Sequence, residues 1–265
     1  MATKQPKQEG VPVPTVVITV IVVFVAGLLI GKFTLSSSKK CKDKECPQKV
    51  ERYRIYPRGT NPSKGPRNAK VTILVVVDYQ NPLSRKMHET LLAMQKKDKK
   101  NVRLVVVHNP RTADSRRAAV AGLAAKNQNK YWALAEKMYA NPKKLSEADL
   151  VRYAKQVGIN VEKFQKDLKD RRLNSMVAFD QRQIRRLGVR KTPTVFINGR
   201  YFSGKIKNKT LKKTIKEEKA AAKKLLAELK KEGRARGARG RKPNIYREFM
   251  RDAKTSLAGQ DKGRR

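Results

Sequence analysis

Acidic residues are scarce in this 265-residue chain: 22 Asp and Glu stand against 64 Lys and Arg, for a formal net charge of +42. That balance excludes an ordinary near-neutral surface. It implies an anionic partner or neighbourhood: nucleic acid, acidic lipid headgroups, or phosphates and carboxylates of a cell envelope. Histidine is scarcer still. His88 and His108 have too few helpers to make a zinc cage, so no metal site is expected. Cysteine occurs twice, at Cys41 and Cys46, both outside the stretch that patterns as globular. There is no internal repeat. The length allows one large domain or two small ones, with enough chain to bury a core.

What is present first is a long apolar run. "PTVVITVIVVFVAGLLIGKF", 14–33, carries no charge between Pro14 and Gly31. At about 1.5 Å per residue it nearly spans a hydrocarbon layer of about 30 Å. In lipid its backbone must bond internally, so it is expected as a helix despite its β-branched content. A cleaved signal peptide is the alternative. Its apolar region would be shorter, and the small residues Ser36, Ser37 and Ser38 fit a cleavage site poorly. Lys32, Lys39, Lys40 and Lys42 after the run favour a cytoplasmic C-terminal bulk, a rule that weakens for long translocated domains.

The organisation expected is an N-terminal tail (1–13), a transmembrane anchor (14–35) and a Pro- and Gly-containing linker (36–66) with one short strand near 52–56. Then "VTILVVV", 71–77, reads as a strand buried on both faces. A helix from Pro82 to about Lys97 follows, with Leu83, Met87, Thr90, Leu91 and Met94 on one side. "NVRLVVVH", 101–108, completes a βαβ unit. Residues 111–187 read as a helical block, with a capping signature at Ser146–Asp149 and an N-cap at Asn160. Residues 188–232 hold a hairpin around Asn198-Gly199 and a long helix whose apolar stripe is interrupted by Glu218. Residues 233–265 read as a basic tail with one amphipathic stretch at "NIYREFMRDA".

Strand, helix, strand, helical insertion, hairpin and closing helix is an order that resembles the DsbA-like branch of the thioredoxin superfamily. Three segments carry the likeness, and together they cover about residues 59–231. "GPRNAKVTILVVVDYQNPLSRK" is similar to that family's opening, which leads into a Cys-Pro-x-Cys redox motif. "AAVAGLAAKNQNKYWALAEKMYAN" is similar to its insertion. "LGVRKTPTVFINGRYFSG" is similar to its cis-proline segment. The fold class implied is α/β: a thioredoxin fold (67–110 and 188–232) with an inserted helical domain (111–187), preceded by the single transmembrane helix. By the same resemblance Asn81 stands at the first cysteine position, Pro82 at the proline, Leu83 at the variable site and Ser84 at the second cysteine position. Both sulfurs are missing. In the family the first thiolate attacks a substrate disulfide and the second resolves the product; an amide and a hydroxyl do neither.

The resemblance also implies a cis Thr192–Pro193 bond beside this helix, leaving backbone groups for an extended chain to pair with. Pro82, Leu83, Thr192 and Pro193 are therefore the candidate peptide-binding residues, and the catalytic set is empty. Asn81 also reads as a plain helix cap. Ser84, His88 and Asp78 invite comparison with a serine triad, but no nucleophile-elbow glycines surround Ser84. Cys41 and Cys46, in "CKDKEC", are open to three readings: a small disulfide, free or intermolecular thiols, or a displaced redox pair. No cofactor is implied.

The function expected is a non-catalytic binding, scaffold or chaperone-like module. Its partners would be extended protein segments or an envelope complex, with a membrane held through the anchor and anionic surfaces through charge. It would sit in the inner membrane with its globular part periplasmic. The alternatives are a thiol-disulfide oxidoreductase using Cys41 and Cys46, and a basic membrane tether for nucleic acid or ribosomes.

Overall fold

The structure is a computed structural model that describes residues 50–232, 243–251 and 253–255. The expected anchor at 14–35 and both cysteines lie outside the described residues. Among the described residues no helix is long and apolar enough to cross a membrane. The described residues from Val50 onward form one compact unit.

A five-stranded sheet runs through this unit in the order β1-β3-β2-β4-β5. Its centre is β2 (Val71–Val77), with every residue buried, parallel to β3 (Val102–His108) and antiparallel to β4 (Thr194–Ile197). A continuous run of β-branched and aliphatic residues suits this position, because helices cover both faces of the strand. β4 and β5 (Arg200–Ser203) form a hairpin. Asn198 and Gly199 both take positive φ, 45° and 85°, the conformation a two-residue hairpin turn of this twist requires. β1 (Ser63–Lys64) closes the other edge, antiparallel to β3.

Helix α1 (Pro82–Lys97) links β2 to β3. The insertion then supplies α2 (Ala113–Asn127), α3 (Tyr131–Ala140), α4 (Glu147–Gln156), α5 (Val161–Leu168) and α6 (Arg171–Leu187). Each of α2, α4, α5 and α6 starts at a side-chain cap: Thr112, Ser146, Asn160 and Asp170, whose oxygens accept the orphan backbone N–H groups of the first turn. Helix α2 is almost wholly buried in its alanine-rich middle, and Gly122 sits where a Cβ would lie 2.9 Å from the Tyr79 hydroxyl. The last described elements are α7 (Asn208–Lys231) and a short α8 (Ile245–Phe249).

Three expectations change. Residues 50–66 are not linker. Tyr53 and Ile55 are buried in a second core cluster with Leu74, Phe196 and Ile184, and Asn61 bonds Asp180 of α6 at 2.9 Å. The C-terminal basic segment is not all tail either. Met250 is buried, the Tyr246 hydroxyl donates to the Ile55 carbonyl, and Lys254 forms a parallel bridge with Tyr53. Finally, α1 is rotated relative to the expected stripe. Its buried face is Ser84, Met87, His88, Leu91 and Gln95, and Leu83 is 41% exposed. An aromatic insertion packed over the helix, Trp132 and Tyr139 against His88, gives that polar ring a place inside.

Candidate functional site

The end of β2 delivers Asp78 to the start of α1. Its Oδ1 accepts from the Gln80 amide at 3.0 Å and its Oδ2 from the Arg111 amide at 3.1 Å. These bonds fix the turn that presents Asn81. Asn81 has extended φ and ψ, and its Oδ1 accepts the Leu83 N–H at 2.9 Å. Pro82 follows, where a missing N–H costs nothing.

The same Asn81 side chain also reaches across the fold. Its Nδ2 donates to the Thr192 carbonyl at 2.8 Å and approaches Thr192 Oγ1 at 3.2 Å. The Thr192–Pro193 bond is cis. One amide thus caps the helix with its oxygen and staples the proline loop with its nitrogen. Sequence reasoning found the first role, which acts two residues away. The second joins positions 111 residues apart and left no local signal.

Ser84 points the other way. It is fully buried, and its Oγ lies 3.4 Å from the Asp78 N–H. Both His88 ring nitrogens are buried without a hydrogen-bond partner, and burial pushes the ring's pKa down to about 4. Ser84, His88 and Asp78 therefore share a neighbourhood but form no nucleophile–base–orienter chain, and a fully buried hydroxyl cannot meet a substrate. Behind them lies a small aromatic network. The Tyr79 hydroxyl donates to Tyr131 at 3.0 Å, and both phenols stand 3.3–3.4 Å from His108 Nε2. Burial pushes the His108 pKa down to about 4 as well and raises those of Tyr79, Tyr131 and Tyr139. Among the described residues no group of His, Cys, Asp or Glu could hold a metal ion.

Beside the Asn81 staple lies an open cleft of about 390 Å³. Leu83, Met87, Pro193 and Ile206 give it apolar walls, and Lys86, Lys205 and Lys207 stand around it. Leu83 and Pro193, two of the four candidate peptide-binding residues, line it together. Thr192, whose carbonyl accepts from Asn81, and Pro82, exposed at the helix start, do not line it.

Residues 58–217 match the family described as thioredoxin. The chain belongs to the thioredoxin family. Within the superfamily it is DsbA-like, as its relatives show. It is 26% identical over 197 residues to the probable disulfide bond formation protein D of Bacillus anthracis, covering 69% of this chain and 86% of that protein. It resembles the crystal structure of a thioredoxin-like oxidoreductase from Silicibacter pomeroyi with a TM-score of 0.56 and 26% identity, over 60% of this chain and 92% of that one. The oxidised BdbD structure from Bacillus subtilis has the same TM-score at 22% identity, over 64% and 99% of the two chains, a likeness of fold. The Na(+)/H(+) antiporter NhaA 3 of Salinispora tropica is 32% identical over 144 residues. Those residues are 53% of this chain and 22% of the antiporter, so this thioredoxin-family chain spans about a fifth of that relative's length.

Proposed function

We propose that this DsbA-like chain is a non-catalytic module that holds extended, acidic protein segments in the cleft beside Pro193. The observation that carries the reading is the Asn81 staple. The position that the resemblance aligns with the attacking thiol holds an amide, and both ends of that amide are bonded within the fold. Thiol exchange needs a thiolate on an accessible sulfur, and Asn81 and Ser84 offer none. The cleft next to them keeps apolar walls for a side-chain anchor and a lysine rim for carboxylates. The apolar run at 14–31 supports attachment to a membrane, and the resemblance supports an envelope-side location for the globular part.

The test uses the full chain with Cys41→Ser and Cys46→Ser. It is expected not to reduce insulin or oxidise a reduced thiol protein, and to bind an acidic extended peptide bearing one aliphatic residue. Leu83→Glu with Lys86→Glu should weaken that binding at least about tenfold, the loss of one buried anchor and one charge pair. Turnover by the cysteine-free chain would end the reading. Turnover only with Cys41 and Cys46 present would establish the alternative, a displaced redox pair, which the similarity to a probable disulfide bond formation protein keeps in view. Labelling Cys41 in intact cells with a membrane-impermeant thiol reagent tests the location.

A further inference from the structure

A second pocket, of about 370 Å³, opens between the 54–58 segment and α6, and it shares no lining residue with the cleft beside Pro193. Arg54, Arg58, Arg182 and Arg186 converge on it with the rings of Tyr56 and Phe179. Those rings are 46% and 42% exposed, which is unusual here because the other aromatics among the described residues are mostly packed inside. Arg58 is already neutralised by Asp180 at 2.8 Å and lies over the Phe179 ring, 4.2 Å from its centroid. Arg54 is fixed by the Met250 and Arg251 carbonyls. Arg182 and Arg186 are exposed and have no carboxylate partner among the described residues. They stand four apart on one helix, an arrangement of like charges that costs helix stability. The C-terminal dipole favours a cation at Arg186 and the Phe179 ring centroid lies 5.9 Å from the Arg182 guanidinium carbon, but neither explains the convergence of Arg54 and Arg58 from another segment.

We propose that this pocket binds a nucleotide, with the phosphate on Arg182 and Arg186 and the base on the ring of Tyr56. Guanidinium forks match phosphate oxygens two at a time, as a point-charge ammonium does not. The adjacent exposed ring supplies the π-face on which any base can stack. A lipid headgroup or inorganic polyphosphate would use the arginines and leave the exposed Tyr56 ring idle. A nucleotide uses both, either free or as one unit of a single strand. The signal is invisible along the chain because Tyr56 and Phe179 are far apart in sequence and the arginines are lost in a uniformly basic composition.

The experiment measures binding of the full chain to thymidine monophosphate, to a short single-stranded thymidine oligonucleotide, to an abasic strand of equal length and to inorganic phosphate, across a salt series. Nonspecific charge attraction falls steeply with salt, so discrimination at high salt is the readout. The base-bearing ligands are expected to bind at least about fivefold more tightly than their base-free counterparts, the low end of one stacking contact. Tyr56→Ala should erase that difference while leaving the abasic affinity unchanged. Arg182→Ala with Arg186→Ala should weaken all four ligands, and Arg182→Lys with Arg186→Lys should recover less than half the loss. Tight binding of the monophosphate identifies a free nucleotide as the source, and binding of the oligonucleotide alone identifies a strand. Equal binding of based and abasic strands, or discrimination that survives Tyr56→Ala, overturns the proposal. So does displacement of the oligonucleotide by acidic vesicles with no dependence on Tyr56. All the substituted side chains are solvent-exposed, and a thermal melt of each variant checks that the fold is kept.

Discussion

At the scale of single residues, the one side-chain amide of Asn81 carries two structural duties. Its oxygen accepts an orphan helix N–H, and its nitrogen donates across the fold to Thr192. Asn81→Ala removes both bonds and should destabilise the fold by about 2 kcal/mol, roughly one for the cap and one for the cross-link. Asn81→Ser keeps a capping oxygen but is too short to reach Thr192, so it should cost about half as much. Urea unfolding of the three proteins measures this, and equal costs for Ala and Ser would mean that the staple contributes nothing. The cap was legible in the sequence because it acts within one turn. The staple was not, because nothing near Asn81 marks residue 192 as its neighbour.

At the scale of elements, α7 is pinned by the residue that seemed to spoil it. Glu218 interrupts an apolar stripe in the sequence, and it is 1% exposed in the fold. There it takes both nitrogens of Arg52, at 2.8 and 3.0 Å, and the Asn198 amide at 3.1 Å. Asn198 in turn accepts the Thr72 N–H and donates to the Lys70 carbonyl. One acid therefore ties α7 to the hairpin turn, the start of β2 and the segment before β1. Removing one member of such a pair strands the other's charge in the interior. Glu218→Ala should cost about 3 kcal/mol, and the double change Glu218→Leu with Arg52→Met markedly less; a double-mutant cycle in denaturant decides it. The βαβ unit, the hairpin and the capped insertion were readable because period, caps and turn residues are local signals. The interruption at Glu218 was readable as an oddity, while its partner in a supposed linker 166 residues away was not. The same holds for the rotated face of α1, where the insertion's aromatic rings make a polar residue such as His88 an inside residue.

At the scale of the whole molecule, charge is partitioned rather than balanced. Three of the few acids, Asp78, Asp180 and Glu218, are buried, so the surface is more basic than the composition alone suggests. Burial of Asp180 outweighs its bonds to Arg58 and Asn61 and raises its pKa. The two histidines are held neutral inside, each with its pKa pushed down to about 4 from about 6.5 in an unfolded chain. Between those values the unfolded state binds more protons than the folded one. Their contribution is therefore complete above about pH 6.5 and is lost as the pH falls towards 4, by up to a few kcal/mol for the pair. The melting temperature should drop across that window, and His88→Gln should flatten part of the slope; a flat profile in the wild-type chain would contradict it. The bridge between Tyr53 and Lys254 has a consequence of a mechanical kind. The two segments run parallel, joined by Arg54 N–H to the Lys254 carbonyl at 2.6 Å and Lys254 N–H to the Arg52 carbonyl at 2.7 Å. Tension applied through the chain before Tyr53 and after Lys254 pulls them in opposite directions along their length. Both bonds are then loaded in shear and must fail together, so the two ends of the domain are clasped rather than zipped.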